Sequence, residues 1–209
     1  MEKKRGSHFR KSGSEKEFTL KVNEIFDSIQ GEGFWTGRRA AFIRLAGCSL
    51  NCDWCDTDYK KGEDLTIHEI LQRAKNLPFV VITGGEPTDQ RISPLIAALK
   101  ARNHFVQVET NGCFKEDIPS EADWITISPK GPIKFTILDE LKIVYRGQDI
   151  GEIATFGKMN WKSKCLQPLC GEDDYMNVGA TIEAIDKLRI EHAQEWGLSI
   201  QVHKLIGVR

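Results

Sequence analysis

The sequence has no apolar run approaching the roughly 18 residues of a membrane span, so no spanning helix is expected. Nor does either charge dominate: 29 Lys and Arg stand against 30 Asp and Glu, a formal net charge of −1. Without a basic field, nothing steers the whole protein onto nucleic acid. Internal repeats and low-complexity tracts are absent as well. The opening stretch, "MEKKRGSHFRKSGSEKEF", lacks the apolar core of a signal peptide, and residues 1–20 read as a disordered polar leader. What remains is a soluble, cytoplasmic chain with one domain over residues 21–209. A length of 209 residues with 40% hydrophobic content supplies one sizeable core and is short for two. In a reducing compartment the six cysteines are expected to bind metal or do chemistry rather than form disulfides.

A further absence is the informative one. "GCSLNCDWCDT", residues 47–57, brings Cys48, Cys52 and Cys55 together with no fourth cysteine nearby. Closed structural metal sites usually take four ligands. In a cubane cluster each iron wants one external ligand, so three thiolates leave one iron open to bind something else. The alternative is a structural zinc site completed by a distant residue such as Cys113. Cys113, Cys165 and Cys170 are scattered without a compact ligand run and read as inert thiols.

Short β-branched runs alternate with helical patterns. Strands are predicted over residues 38–47, 79–85, 105–112, 124–130, 141–147, 165–169 and 198–204. Thr66 followed by Glu69 forms a capping-box pattern that opens a helix running to about Lys75. A second helix is expected from Ile92 to Arg102. A third starts near Val178, with Ile182, Ile185, Leu188 and Trp196 on its apolar stripe and Gly197 as its stop. Strand-helix alternation predicts an α/β fold with mostly parallel strands. Several helices are missing or shortened, and the length falls below the roughly 250 residues of a closed eight-fold barrel. An incomplete (β/α) barrel is expected.

Residues just past the strands carry the chemistry. Gly84-Gly85-Glu86-Pro87, Thr110-Asn111-Gly112, Ser128-Pro129-Lys130, Gln167-Pro168 and His203-Lys204 all follow strands, as Cys48 does. In parallel sheets and barrels, sites form at that edge, so these segments are expected to converge on one mouth. Arg44, on the first predicted strand, suits a carboxylate through its planar fork. The loop "IQGEG" supplies Ile29, Gln30 and Glu32, whose amide and carboxylate suit a substrate edge of mixed donors and acceptors, and Gly31 permits close backbone approach. Thr83, at a strand exit, can reach the same ligand. The hydroxyl of Thr57 suits either a magnesium ion or a turn cap. His203 lies at the mouth, with a satisfied core histidine as the alternative, while His68, His104 and His192 read as structural or solvated.

The three-cysteine spacing with an aromatic before the last cysteine, followed by "ITGGEP", resembles the radical S-adenosylmethionine enzymes. A narrower resemblance runs from residue 23 to the end. "NEIFDSIQGEGFWTGRRAAFIRLAGCSLNCDWCDT", "VVITGGEP", "VETNG", "ITISPK", "LQPL" and "LSIQVHK" are similar to the 7-carboxy-7-deazaguanine synthase family. That resemblance implies a lyase that converts 6-carboxy-5,6,7,8-tetrahydropterin to 7-carboxy-7-deazaguanine with loss of ammonia, in queuosine-type nucleoside biosynthesis. It implies a 4Fe-4S cluster on Cys48, Cys52 and Cys55, and magnesium on Thr57. S-adenosylmethionine would be lined by Trp54, Cys55, Asp56, Gly85 and Glu86, together with Ser128, Pro129, Lys130 and Gln167. The pterin would meet Ile29, Gln30, Gly31, Glu32, Arg44, Thr83 and His203, and the terminal carboxylate of Arg209. An external one-electron reductant of flavodoxin or ferredoxin type and a homodimer are also implied. The competing functions are an activating enzyme for a glycyl-radical protein and a structural zinc-binding module.

Overall fold

A computed structural model describes residues 17–55, 57–74, 76–113, 117, 119–131, 133, 139–169 and 174–209. Asp56, Cys170 and most of the expected polar leader lie outside the described residues. The chain begins with a hairpin: β1 (Thr19–Ile29) pairs antiparallel with β2 (Arg39–Leu45) and, on its other edge, with β3 (Glu63–Thr66). From β2 onward every pairing is parallel, through β4 (Phe79–Gly84), β5 (Phe105–Thr110), β6 (Trp124–Ile127), β7 (Glu140–Tyr145), β8 (Ser163–Pro168) and β9 (Gly197–Leu198). Among the described residues the strands form one sheet in the order β3-β1-β2-β4-β5-β6-β7-β8-β9. The sheet is not closed, so the expected incomplete barrel is what the chain builds.

Helices cover the outer face. α1 (Ile67–Arg73) opens with the full capping box: Thr66 accepts from the Glu69 N–H while Glu69 accepts from the Thr66 N–H. α2 (Ser93–Lys100) follows β4, and α4 (Asp174–His192) follows β8. The sequence reading missed α3 (Ile150–Gly157), whose N-terminus is capped by Asp149 accepting from Glu152 N–H at 3.1 Å. It also missed β1 and β3, where charged residues interrupt the apolar alternation. α4 starts earlier than expected and ends at His192, so Trp196 lies beyond it. Its buried stripe is Thr181, Ala184 and Leu188, and Ile182 faces solvent.

The largest correction is at the last predicted strand. β9 stops at Leu198, and α5 (Val202–Leu205) takes the place of a strand over 198–204. The chain leaves the sheet after one last bond to β8, Ser199 N–H to Leu166 O at 2.8 Å; Val202 N–H then turns to Gly31 O at 3.0 Å. His203 therefore sits on a short helix rather than on a strand.

Period-two alternation divides every central strand between two environments. Ala41, Ile43, Val80, Ile82, Val106 and Val108 turn outward into one apolar cluster with α1 and α2. Ile125, Ile127, Leu141, Ile143 and Leu166 do the same with α3 and α4. The alternate residues turn inward. At the amino ends of the strands they are aromatic: Phe79 stacks on Phe105 with centroids 5.0 Å apart, and Trp35 packs edge-on against Phe105 and Trp124. Toward the carboxyl ends they become Arg44, Thr83, Glu109, Thr126, Lys142 and Gln167. A one-residue slip would bury these polar groups among the helices, so the register that places them is strongly specified.

Candidate active site

A cavity of about 640 Å³ opens at the carboxyl ends of the strands. Cys48, Cys52 and Cys55 line it, together with Trp54 and Thr57; so do Arg44 on β2, Thr83 on β4, Gln30 and Glu32 after β1, His203 on α5 and the terminal Arg209. The expected convergence of strand-end segments is thus what the fold produces. Ile29, Gly31, Gly85, Glu86, Ser128, Lys130 and Gln167 also face it, whereas Pro129 is not among the lining residues.

The cysteine loop is fastened at its base, where Gly47 N–H donates to Tyr59 O at 2.9 Å, and Ser49 N–H donates to the Asp89 carboxylate. Burial pushes the Cys48 thiol above its ordinary range, opposed by a Leu50 N–H 3.4 Å from its sulfur. Beneath the loop lies the glycine-rich turn after β4. Glu86 N–H donates to Gly47 O at 2.9 Å, and Gly85 N–H to Leu45 O at 3.0 Å. Gly85 thus has a role the sequence reading did not give it: its missing side chain leaves room for the cysteine loop itself.

The Glu86 side chain is also differently engaged than expected. One carboxylate oxygen accepts from the hydroxyls of Thr88 and Thr110, both at 2.6 Å, and the other from Asn111 N–H at 2.7 Å. It is buried with its acceptors filled, and it ties the exit of β4 to that of β5. Trp54 is flanked by cations, with Lys130 Nζ 4.7 Å and the Arg146 guanidinium 4.8 Å from its ring centre. Burial, and repulsion from Lys142, draw Lys130 down to about 8; its ammonium lies 2.8 Å from Ser128 Oγ. Gln167 accepts from Ser199 Oγ at 3.1 Å.

The opposite wall is polar, with side chains from β1, β2, β4, β5 and β7. Gln30 Nε2 donates to Glu109 at 2.9 Å and to Gln107 at 3.2 Å, and Gln30 Oε1 accepts from Glu32 N–H. Thr83 Oγ1 donates to the other Glu109 oxygen at 3.1 Å. Glu32 pairs with the Lys142 ammonium and accepts from Gln201 Nε2 at 2.6 Å. Burial works to raise the Glu32 carboxyl, but Lys142, with Gln201 and His203, outweighs it and the group lies below the usual carboxylate range. Arg44 Nε donates to Glu24 at 2.9 Å, and the Arg209 guanidinium pairs with the other oxygen of the same carboxylate while stacking over Phe26. Glu24, Glu109, Lys142 and Gln201 were missed in the sequence. The signal was present: "FVQVET" and "ELKIVY" alternate polar and apolar, whereas parallel strands buried on both faces read as unbroken apolar runs.

A three-thiol loop at the carboxyl edge of an open parallel barrel defines the class of this protein, and residues 42–140 match the Radical SAM superfamily. The relatives are narrower. The chain is 39% identical over 193 residues to 7-carboxy-7-deazaguanine synthase of Bacteroides thetaiotaomicron, covering 90% of this chain and 98% of that one. It is 37% identical to the Neisseria meningitidis protein of the same name, covering 90% and 93%. Among solved structures it resembles QueE from Escherichia coli with a TM-score of 0.69 at 28% identity, covering 88% of this chain and 95% of that one. The chain belongs to the 7-carboxy-7-deazaguanine synthase family.

Membership of the radical SAM superfamily implies a 4Fe-4S cluster and S-adenosylmethionine. The residues present fit them. Three reduced thiols on one loop face the cavity, and thiolates are the donors iron-sulfur clusters use. Among the described residues no three Cys, His, Asp or Glu side chains gather closely enough for a single ion. Also among the described residues, no helix is long and apolar enough to cross a membrane.

Proposed function

We propose that this chain catalyses the radical ring contraction of 6-carboxy-5,6,7,8-tetrahydropterin to 7-carboxy-7-deazaguanine with release of ammonia, as a lyase in 7-deazapurine biosynthesis. The observation that carries this reading is the single cavity that joins the three thiols to the wall of Arg44, Glu32 and Glu109. Cys48, Cys52 and Cys55 would hold the cluster, and Trp54, Gly85, Ser128, Lys130 and Gln167 would line S-adenosylmethionine. Bound together, and given one electron by an external reductant, these groups would supply a 5′-deoxyadenosyl radical with release of methionine. The chain's own residues hold the substrate within its reach and exclude water.

Arg44 would meet the substrate carboxylate. Glu24 engages its Nε, which leaves the outer guanidinium nitrogens to form a paired contact. Glu32 and Glu109 present acceptors suited to the N–H groups of a pterin edge. Thr57 lines the cavity beside Cys55 and would supply one oxygen to magnesium, with water and ligand completing the shell. Replacing it by alanine should lower the rate and the magnesium response together while the cluster stays intact. A homodimer, a flavodoxin- or ferredoxin-type reductant and a cytoplasmic location complete the reading, with residues 21–209 acting as one domain behind a polar leader.

The test is anaerobic incubation of the reconstituted protein with reductant, S-adenosylmethionine and the carboxytetrahydropterin, followed by mass analysis. Appearance of 7-carboxy-7-deazaguanine is expected. A protein that cleaves S-adenosylmethionine, leaves the pterin untouched and installs a glycyl radical on a partner would be an activating enzyme instead.

A further inference from the structure

Lys142 is the one lysine in the buried core of the described residues. It projects from the middle of β7 into the inner layer of the sheet, with its side chain 6% exposed. An unpaired ammonium there would be prohibitive. Its Nζ meets the Glu32 carboxylate directly and lies 4.0 Å from Glu109 Oε1. Both carboxylates line the cavity and so does Lys142. The two acids come from sequence positions far apart, one on the loop after β1 and one at the end of β5, and the lysine lies between them. On the function read above, both face the substrate.

We infer that Lys142 is a positioning residue for the reaction, which holds Glu32 and Glu109 together as carboxylate anions so that both offer acceptors to the N–H groups of the substrate. The physical reason lies in what a carboxyl presents in each state. Ionised, it only accepts hydrogen bonds; protonated, it also donates one, and a donor facing the substrate's own N–H groups repels them. Burial favours the protonated form of Glu32, and a nearby cation opposes it. Glu140 adds a third buried acid two residues earlier on the same face of β7, where it accepts from Thr126 Oγ1 at 2.8 Å and from Phe34 N–H at 2.7 Å. One ammonium thus stands among three carboxylates.

The other ionisable groups facing this layer do not substitute for it. Lys130, beyond β6, is drawn down to about 8 by burial and, after that, by repulsion from Lys142. His203 on α5 adds a weaker attraction to Glu32. On β8 the Cys165 thiol is pushed up by burial and by Glu140, so it stays neutral. Burial opposes the charge on Lys142, yet Glu32 and Glu109 hold its ammonium above the ordinary lysine range. The lysine is therefore charged wherever the carboxylates need it to be.

The inference rests on the function proposed above, and the test separates the two. Carbon-13 titration of glutamate carboxyls in the apo-protein reads the acids without any substrate, with Glu32→Gln and Glu109→Gln assigning the signals. In Lys142→Met the Glu32 titration should move upward; in Lys142→Arg it should stay near the wild type. Calorimetric binding of 7-carboxy-7-deazaguanine should be nearly independent of pH between 6 and 8 in the wild type. In Lys142→Met it should weaken as pH falls through that range, by up to about tenfold per unit, the limit for one coupled proton. The double variant Lys142→Met with Glu109→Gln keeps the net charge and serves if the single variant does not fold; Glu32 then titrates upward alone. Carboxyl titrations unchanged in the methionine variants would overturn the inference, as would an affinity loss equal at every pH, which marks a merely structural lysine. A wild type that binds no product sinks the function reading alone, because the carboxyl titrations still decide the role of Lys142.

Discussion

The carbonyl oxygen of Gly47 occupies the place where a side chain at Gly85 would have to begin: a Cβ there would lie 1.9 Å from that oxygen and 3.0 Å from Cβ of Cys48. The preceding Gly84 is equally confined, since it adopts φ +149° and its Cβ would fall 2.3 Å from Leu45 O. The glycine pair is the seat on which the cysteine loop rests. Both obstacles are backbone, which cannot swing aside as a side-chain tip can.

Gly85→Ala should therefore destabilise the fold by about 1–3 kcal/mol, in the range of overpacked sites. Its more specific effect is on the loop. Displacing Gly47 carries Cys48 with it, so iron bound per chain after anaerobic reconstitution should fall well below the wild type. Iron analysis and the absorbance of the cluster measure this. An alanine variant that loads a full cluster at wild-type stability would show that the loop does not rest on the turn.

How much of this was legible beforehand follows the range of the interactions. The capping box of Thr66 and Glu69 lies within one turn, and it reads directly from the sequence. So do the central strands and the cysteine loop, whose signals are local. The terminal segment does not, because "LSIQVHK" has a strand's composition, and its turn into a helix goes with a contact distant in sequence, Val202 N–H to Gly31 O. Lys142 escaped for the same reason. A lysine in an apolar strand looks like an exposed edge residue until Glu32, 110 positions away, is known to face it. The hairpin of β1 escaped because Lys21, Glu24 and Asp27 mask its alternation. That the Glu86 side chain also braces two strand exits is likewise not legible, because Thr110 and Asn111 are more than 20 positions away.

Gly31 offers a second steric test, this time on the substrate side. A Cβ at residue 31 would lie 1.9 Å from Nδ1 of His203 and 2.8 Å from its Cβ, so the imidazole lies directly against the glycine. Gly31→Ala should push His203 and α5 away from the cavity. On the proposed function, KM for the pterin should rise by about tenfold, equivalent to about 1.4 kcal/mol. Cluster content and uncoupled cleavage of S-adenosylmethionine should be unaffected. Equal losses in both reactions would instead indicate general collapse of the site.

The cysteines divide by environment. Cys48, Cys52 and Cys55 line the cavity, while Cys165 is buried in β8 with its sulfur 3.8 Å from Glu140, and burial keeps it a thiol. Replacing any of the first three by alanine should abolish cluster assembly and turnover. Cys165→Ala should leave iron content unchanged and lower stability by about 1 kcal/mol through the small cavity it creates. Iron analysis separates the groups, and loss of the cluster in Cys165→Ala would contradict the assignment.

Lys130 supplies the test by pH. Its folded value is drawn to about 8 by burial and by Lys142, against an unfolded value of 10.5. Between those two values the unfolded chain binds the proton that the folded chain has lost. By linkage, the stability of the apo-protein from this residue rises with pH across the window, and the strain of a buried ammonium is fully present below it. The sign is opposite to that of a lysine held in an ion pair, as Lys142 is. Removing Lys130 as Lys130→Met should therefore stabilise the apo-protein more at pH 7 than at pH 9.5, narrowing the gap to the wild type as pH rises. Chemical denaturation of both forms at those two values measures the difference. A gap that is constant or widens with pH would mean that Lys130 keeps its charge in the apo fold, with Trp54 and Ser128 enough to hold it.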